Sequence, residues 1–396
     1  MNSPLILLLL AAIVHVASYL LLAFRVEPFM YNFYVLSWWS YIAIVDSSLA
    51  LKRKRLLVFN GSLPFWIVVS SAFWCIFELV NLRIENWYYI NIPDSGLIRF
   101  FGYLAAYGTV IPAIYMTKEA ISALLGAVSI RPIKLRPYLP YSFPLSTLLF
   151  LLLMLFPTYL FSCAWIFLIP VGEWYCYARG YSCFTRELEQ GKIGNLLSTL
   201  LSGLVCGFLW ESWNYWAISK WVYTVPFFES LKIFEMPLFG YVGFVLFAVE
   251  AVLARNFVSE STHVARHRWA VAAIALIFSS GSFAMIDRHT IFSYLASAQG
   301  LPFLTDESRE AVKRAGIETS FAIDPRSLNP EERETLNLLH LRGLGLSNAI
   351  KLREHGIRSV EGLSRLSDEQ LSSIMGEANP RRARIYTSAA RELAKR

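Results

Sequence analysis

Four acidic residues stand where acids are costly. Asp46, Glu78, Glu173 and Glu211 each lie inside, or at the end of, a long apolar stretch. An aspartate at the centre of a membrane helix costs about 2.5–3.5 kcal/mol, so four such residues ask for a role. Glu78 and Glu211 share the pattern Glu-x-x-Asn with Asn81 and Asn214. Residues three apart share one helix face, which lets amide and carboxyl meet. A carboxyl group surrounded by hydrocarbon stays protonated near neutral pH and can serve as a general acid. Two structural alternatives stand beside this: hydrogen bonds that pin a helical bundle, and side chains that face lipid headgroups. On the chemical reading, Glu78, Glu211, Asp46 and Glu173 are the catalytic candidates. Asn81, Asn214, Trp87 and Trp221 are the candidates for ligand binding. The apolar region holds no Asp-x-x-x-Asp pair, P-loop, GxSxG or HExxH motif. The five cysteines lack metal-ligand spacing, so no metal or cofactor is expected.

The elements that must position these residues are membrane helices. Of the 396 residues, 56% are hydrophobic and only 16% charged, against about 25% charged in soluble domains. Close to half of the charges fall in the last quarter of the chain, which separates two unlike parts. A spanning helix needs roughly 20 mostly apolar residues. Nine stretches qualify: 4–24, 30–51, 63–82, 97–116, 143–157, 159–178, 196–215, 233–254 and 269–286. The fifth and sixth share one run broken at Pro157. The fold class is all-α, a polytopic helical bundle with a small charged domain behind it. The net charge of +7 sits largely in the loops holding 52–55, 118–136, 179–192 and 255–268. The positive-inside rule then puts these loops and the N-terminus in the cytoplasm, with the inner membrane of a prokaryote as the expected location. Nine spans leave the C-terminal domain outside; eight or ten leave it inside. Trp87, Tyr88, Tyr89, Trp221 and Tyr223 fall in the outer loops, as an interfacial belt would.

The chain also repeats itself. Residues 73–93 and 208–226 align Glu78 with Glu211 and Asn81 with Asn214, with the two Trp-x-Tyr motifs one place out of register. Aligning Trp38 with Trp165 brings Asp46 onto Glu173. Two units, 1–120 and 140–257, are expected in the same orientation, related by an axis along the membrane normal. An additional helix at 268–287 and a linker at 288–334 follow.

Repeated helices with buried acids, each followed by a Trp-x-Tyr loop, resemble the membrane-bound lycopene cyclase domain of carotenoid biosynthesis. That resemblance implies a cofactor-independent reaction in which a buried carboxyl protonates a polyene end group, with Glu78 and Glu211 best placed. The family's Pro-x-Glu-Glu motif has its nearest counterpart at Glu235 and Pro237, with a single Glu.

Residues 335–396 carry Arg342, Gly343, Leu344 and Gly345 before an apolar-faced helix holding Ala349, Ile350 and Leu352. This is similar to a helix-hairpin-helix domain. The resemblance implies that Gly343 and Gly345 offer backbone N–H groups to a DNA phosphate, with Arg342 and Lys351 flanking as DNA-binding candidates. Such hairpins also contact proteins, and the near-neutral charge of the domain gives little counterion-release affinity. Two functions are therefore weighed: a membrane protein with an isoprenoid or carotenoid site between two repeats, and a non-enzymatic anchor that presents the hairpin domain to DNA or a protein. The lipid bilayer is the partner common to both.

Overall fold

The structure is a computed structural model; it describes residues 3–227, 231–376 and 380–395. In chain order the membrane part runs through α1 (Ser3–Ala23), α2 (Phe33–Arg53), α3 (Leu63–Ile84), α4 (Gly96–Tyr107), α5 (Val110–Leu125), α6 (Ser142–Leu155) and α7 (Pro157–Leu160). It continues through α8 (Leu168–Arg179), α9 (Phe184–Glu189), α10 (Gly194–Trp216), α11 (Gly240–Glu260), α12 (Thr262–Arg266) and α13 (Arg268–His289). Among the described residues, eight segments are long and apolar enough to cross a bilayer: α1, α3, α4 with α5, 136–155, 157–179, α10, α11 and α13.

The expected count of nine differs by α2. That helix has the length, 21 residues, without the hydropathy. It carries Ser37, Ser40, Asp46 and Ser47, all buried, because it packs against α1, α5 and α10. Side chains enclosed by protein need not be apolar. The lipid-facing helices show the opposite pattern: Leu9, Ile13 and Leu20 of α1, Leu148 and Leu151 of α6, and Ile274 and Ile277 of α13 remain exposed. Hydrocarbon tails are as apolar as these side chains, so no protein cover is required.

The basic loops gather at one end of the bundle. There Arg53 pairs with Glu119 at 2.6 Å, Ser129 bridges to Lys192, and Arg268 reaches the Ser62 carbonyl at 3.4 Å. At the other end the loops after α3 and α10 form strands, β1 (Trp87–Ile90) and β2 (Lys220–Tyr223). They pair antiparallel, with Trp87 opposite Tyr223 and Tyr89 opposite Trp221. A minor hairpin follows, β3 (Lys232–Ile233) and β4 (Met236–Pro237). The expected all-α chain thus includes a small sheet. Trp, Tyr, Val and Ile favour a pleated, half-buried surface, and here these aromatics pair with each other in place of forming a headgroup belt.

Successive strand residues point to opposite faces, and each face meets a different core. Trp87, Tyr89 and Tyr223 belong to the core of the bundle. Tyr88, Ile90 and Val222 belong to a second core formed by the C-terminal domain. That domain contains α14 (Asp306–Arg314), α15 (Pro330–Leu339), α16 (Gly345–Glu354), α17 (Val360–Ser364), α18 (Asp368–Met375) and α19 (Pro380–Leu393). Capping boxes start α15 at Asn329 with Glu332, and α18 at Ser367 with Gln370. Residues 288–334 are not a linker. Residues 290–295 run beside β1, with the Tyr89 N–H donating to the Thr290 carbonyl at 2.8 Å and the Phe292 N–H to the Tyr89 carbonyl at 2.9 Å. Leu301, Leu304, Val312, Ile323 and Leu328 then fill the same core as Leu336, Leu352 and Tyr386. The turn-rich spacing of these apolar residues hides their packing from a reading by periodicity.

Two glycines let α10 and α11 touch. A Cβ on Gly203 would stand 2.5 Å from the Phe244 carbonyl oxygen, and one on Gly207 would stand 2.6 Å from the Phe244 ring. Gly203→Ala is expected to destabilise the bundle by about 1–3 kcal/mol, the usual cost of overpacking, read as a lowered Tm in detergent. Gly281→Ala on α13, with nothing within 4 Å of the added carbon, is the matched control and should not lower it.

Candidate functional site

The two Glu-x-x-Asn pairs build one kind of corner. On α3, Asn81 Nδ2 donates to the Trp87 carbonyl at 2.6 Å, and its Oδ1 accepts from the Asn86 and Trp87 N–H groups at 2.9 and 3.2 Å. On α10, Asn214 Nδ2 donates to the Trp221 carbonyl and its Oδ1 accepts from the Trp221 N–H, both at 3.0 Å. Each amide holds the backbone of the first strand tryptophan, which fixes where Trp-x-Tyr begins. The amides are thus spent on the chain itself; neither lines the ring-lined cavity between Trp74 and Trp210, though Asn81 lines a second cavity of about 410 Å³ with Trp87 and Tyr88.

The carboxyls one turn earlier point at the aromatic rings of those strands. Glu78 Oε1 accepts from Trp74 Nε1 at 2.7 Å, Trp87 Nε1 at 3.1 Å and the Tyr89 hydroxyl at 2.6 Å. The Tyr107 hydroxyl donates in turn to Tyr89 at 2.9 Å. Glu211 Oε1 accepts from the Tyr223 hydroxyl at 2.7 Å. Both carboxyls are fully buried, and among the described residues the Oε2 atom of each has no hydrogen-bond partner.

In front of these rings lies a cavity of about 430 Å³. Trp74, Trp87, Tyr89 and Tyr107 from the first half and Trp210, Trp221 and Tyr223 from the second line it. The Trp74 and Trp210 ring centroids approach to 5.1 Å. Neither Glu78 nor Glu211 reaches the lining; the rings they hold do. Ile98, Tyr159, Phe227, Phe239 and Val242 also line the cavity and are exposed, so it is open to an apolar outer surface. Two cations line the cavity as well. Arg99 pairs with Asp287 at 2.7 Å. Lys220 stands 3.5 Å from Glu235, and burial, helped by the nearby Arg342 charge, pushes its ammonium down to about 8.

Asp46 and Glu173 are not brought to this cavity. Asp46 accepts from the N–H groups of Leu57, Val58 and Phe59 at 2.7, 2.9 and 2.8 Å. Glu173 accepts from those of Phe184 and Thr185 at 3.0 and 2.8 Å. Both close loops at the basic end of the bundle. Satisfying buried N–H groups is a structural task, and neither carboxylate is placed for catalysis.

The hairpin glycines are not presented to solvent either, although Lys351 is exposed. Gly343 and Gly345 adopt φ values of +77° and +71°, but both are buried. A Cβ on Gly343 would stand 2.7 Å from Ile90 Cγ2, and one on Gly345 would stand 2.5 Å from Ser293 Cβ. Arg342 pairs with Glu235, and Lys351 Nζ donates to the Met375 carbonyl at 3.4 Å. The face that a DNA phosphate requires is occupied by β1 and the strand-like segment beside it.

Sequence reasoning missed Trp74, Tyr89, Tyr107, Trp210 and Tyr223 as site residues. One signal was present: Trp74 precedes Glu78 by four residues, a spacing that puts both on one helix face. Tyr89 and Tyr223 are the second aromatics of the two Trp-x-Tyr motifs. No protein family, curated protein or solved structure matches the chain.

Asp46→Ala should leave three N–H groups without their acceptor and lower Tm by the equivalent of about 1–3 kcal/mol, with no change in any bound lipophile. Gly343→Leu should force the C-terminal domain off β1, seen as faster amide hydrogen exchange at residues 88–92, while salt-sensitive DNA retention stays absent before and after the substitution.

Proposed function

We propose that this chain binds an isoprenoid polyene in the cavity between its two halves and isomerises it by proton transfer, without a redox cofactor. One observation carries the reading: two buried carboxyls each grip a tyrosine in the wall of one aromatic cavity. An apolar, ring-lined space suits a long conjugated hydrocarbon. Aromatic faces attract cations, so they can shelter the carbocation that forms when a double bond is protonated. The opening onto an apolar surface lets a ligand arrive from the bilayer. The resemblance to membrane-bound lycopene cyclases points to the same class of ligand and the same redox-neutral chemistry.

The expected duplication is supported by the strand register. Exchanging Trp87 with Trp221 and Tyr89 with Tyr223 maps the ladder onto itself, because Trp87 faces Tyr223 and Tyr89 faces Trp221. A two-fold axis through this ladder would also relate Asn81 to Asn214 and Asp46 to Glu173, pairs that perform the same local task. The basic loops and the C-terminal domain sit at opposite ends. With α2 counted as a span, the positive-inside rule puts the C-terminal domain outside a prokaryotic plasma membrane. Its Gly-x-Gly hairpin, of helix-hairpin-helix type, then serves as an internal docking element, and the rival reading as a DNA anchor has no observation in its favour.

Purified protein incubated with lycopene should retain the polyene and convert it to an isomer of unchanged mass. Glu211→Gln should cut turnover by about 10²–10⁴-fold, the usual worth of a general acid, while retention of the polyene persists. Absence of polyene retention, or turnover indifferent to Glu211, would overturn the proposal.

A further inference from the structure

One side chain in the aromatic wall is a nucleophile that proton transfer leaves unused. Among the described residues that line the cavity, Lys220 alone carries a primary amine. It opens β2, opposite Ile90 in the ladder, and its side chain is only 16% exposed. Nζ donates to the Tyr215 carbonyl at 3.0 Å and stands 3.5 Å from Glu235 Oε1. The other oxygen of Glu235 pairs with Arg342 of the C-terminal domain, so one buried carboxylate serves two cations. Burial first, and then the Arg342 charge, lowers the Lys220 amine from the ordinary 10.5 to about 8. The neutral amine is the form that attacks carbonyl groups, and its share at neutral pH rises by roughly two orders of magnitude. A lysine desolvated in an apolar pocket, or set beside another cation, is activated to form Schiff bases. Lys220 meets both conditions.

Resting on the polyene reading above, we infer that Lys220 is a covalent anchor for a polyene that ends in an aldehyde, held as an imine with Glu235 as its counter-ion. In the first step the Nζ lone pair bonds to the aldehyde carbon. The π pair of the C=O group moves to oxygen, and a proton from nitrogen makes that oxygen a hydroxyl. In the second step the nitrogen lone pair forms the C=N bond as the C–O bond breaks. The hydroxyl departs as water with the proton that the ammonium had shed to become the nucleophile. Two hydrogens have left nitrogen with the oxygen, and no oxidant or reductant is needed. The site holds one positive charge before the reaction, as ammonium, and one after it, as iminium. The pairing with Glu235 therefore survives, as a buried cation requires. Trp221 and Tyr223, further along the same strand, and Trp210 on α10 supply the aromatic wall for the chain of the ligand.

The test is incubation of the full-length protein in detergent with all-trans-retinal, a polyene aldehyde, and in parallel with retinol, the alcohol of the same chain. Borohydride then reduces an imine to a stable secondary amine, which peptide mass spectrometry assigns to a residue. The expected result is a retinal adduct at Lys220, preceded by a shift of the retinal absorption to longer wavelength, as a protonated imine gives. Lys220→Arg keeps a cation beside Glu235 and removes the primary amine, so it should lose the adduct and still retain retinol. The adduct is mapped in the unsubstituted protein, so the test stands even if that variant fails to fold. Retinal retained without an adduct, or adducts spread over other lysines, would overturn the anchor and leave the polyene site standing. Retention of neither compound would sink the polyene site and the anchor together.

Discussion

The fold depends on a ladder of four residue pairs between β1 and β2. The strands are too short to be stable alone, and they hold because each face is buried against something different. One face sends Trp87, Tyr89, Trp221 and Tyr223 towards the helices. The other gives Tyr88, Ile90 and Val222 to the C-terminal domain. The cavity wall and the docking surface are therefore two sides of one sheet. A shift of register by a single residue would exchange them and destroy both. The asparagines on α3 and α10, bonded to the first backbone groups of Trp87 and Trp221, guard against that slip.

Five of the buried acids, Asp46, Glu78, Glu173, Glu211 and Glu250, follow one rule, that each carboxyl accepts from groups that would otherwise go unsatisfied. Asp46 and Glu173 serve backbone N–H groups beyond their own helices, and Glu250 serves the N–H of Leu168 at 2.9 Å. Glu78 and Glu211 differ because their donors are side chains, and those side chains form the wall of the cavity. An acid bonded to backbone can only hold a loop. An acid bonded to a hydroxyl on a cavity surface can exchange a proton with whatever occupies the cavity. That contrast separates the two acids tied to the cavity from the other three without any appeal to position in the sequence.

Much of this was legible beforehand, and the failures have physical causes. Nine apolar stretches mark nine helical regions, because backbone groups in hydrocarbon must be satisfied within a helix. Yet α2 escapes a strict hydropathy count, since protein and not lipid surrounds it. Glu-x-x-Asn was visible as a pair on one face, but the true partner of Asn81 is the backbone of Trp87, after the helix has ended. Asp46 and Glu173 read as reactive because their acceptor role depends on loops 11 or more residues away that fold back over them. The Gly343 and Gly345 hairpin was recognisable from local geometry. What covers it was not, because contact with Ile90 and Ser293 joins residues far apart in the chain, and local pattern says nothing about such contacts.

The central claim is that the ring-lined space between Trp74 and Trp210 is a polyene site. The most direct measurement is an electron cryo-microscopy map of the full chain in lipid nanodiscs, with and without lycopene. The account predicts an elongated density, present only with the polyene, running from the opening of the cavity to the Tyr89 and Tyr223 hydroxyls. A space that stays unchanged on adding lycopene, or polyene density found only on the outer lipid-facing surface, would contradict it.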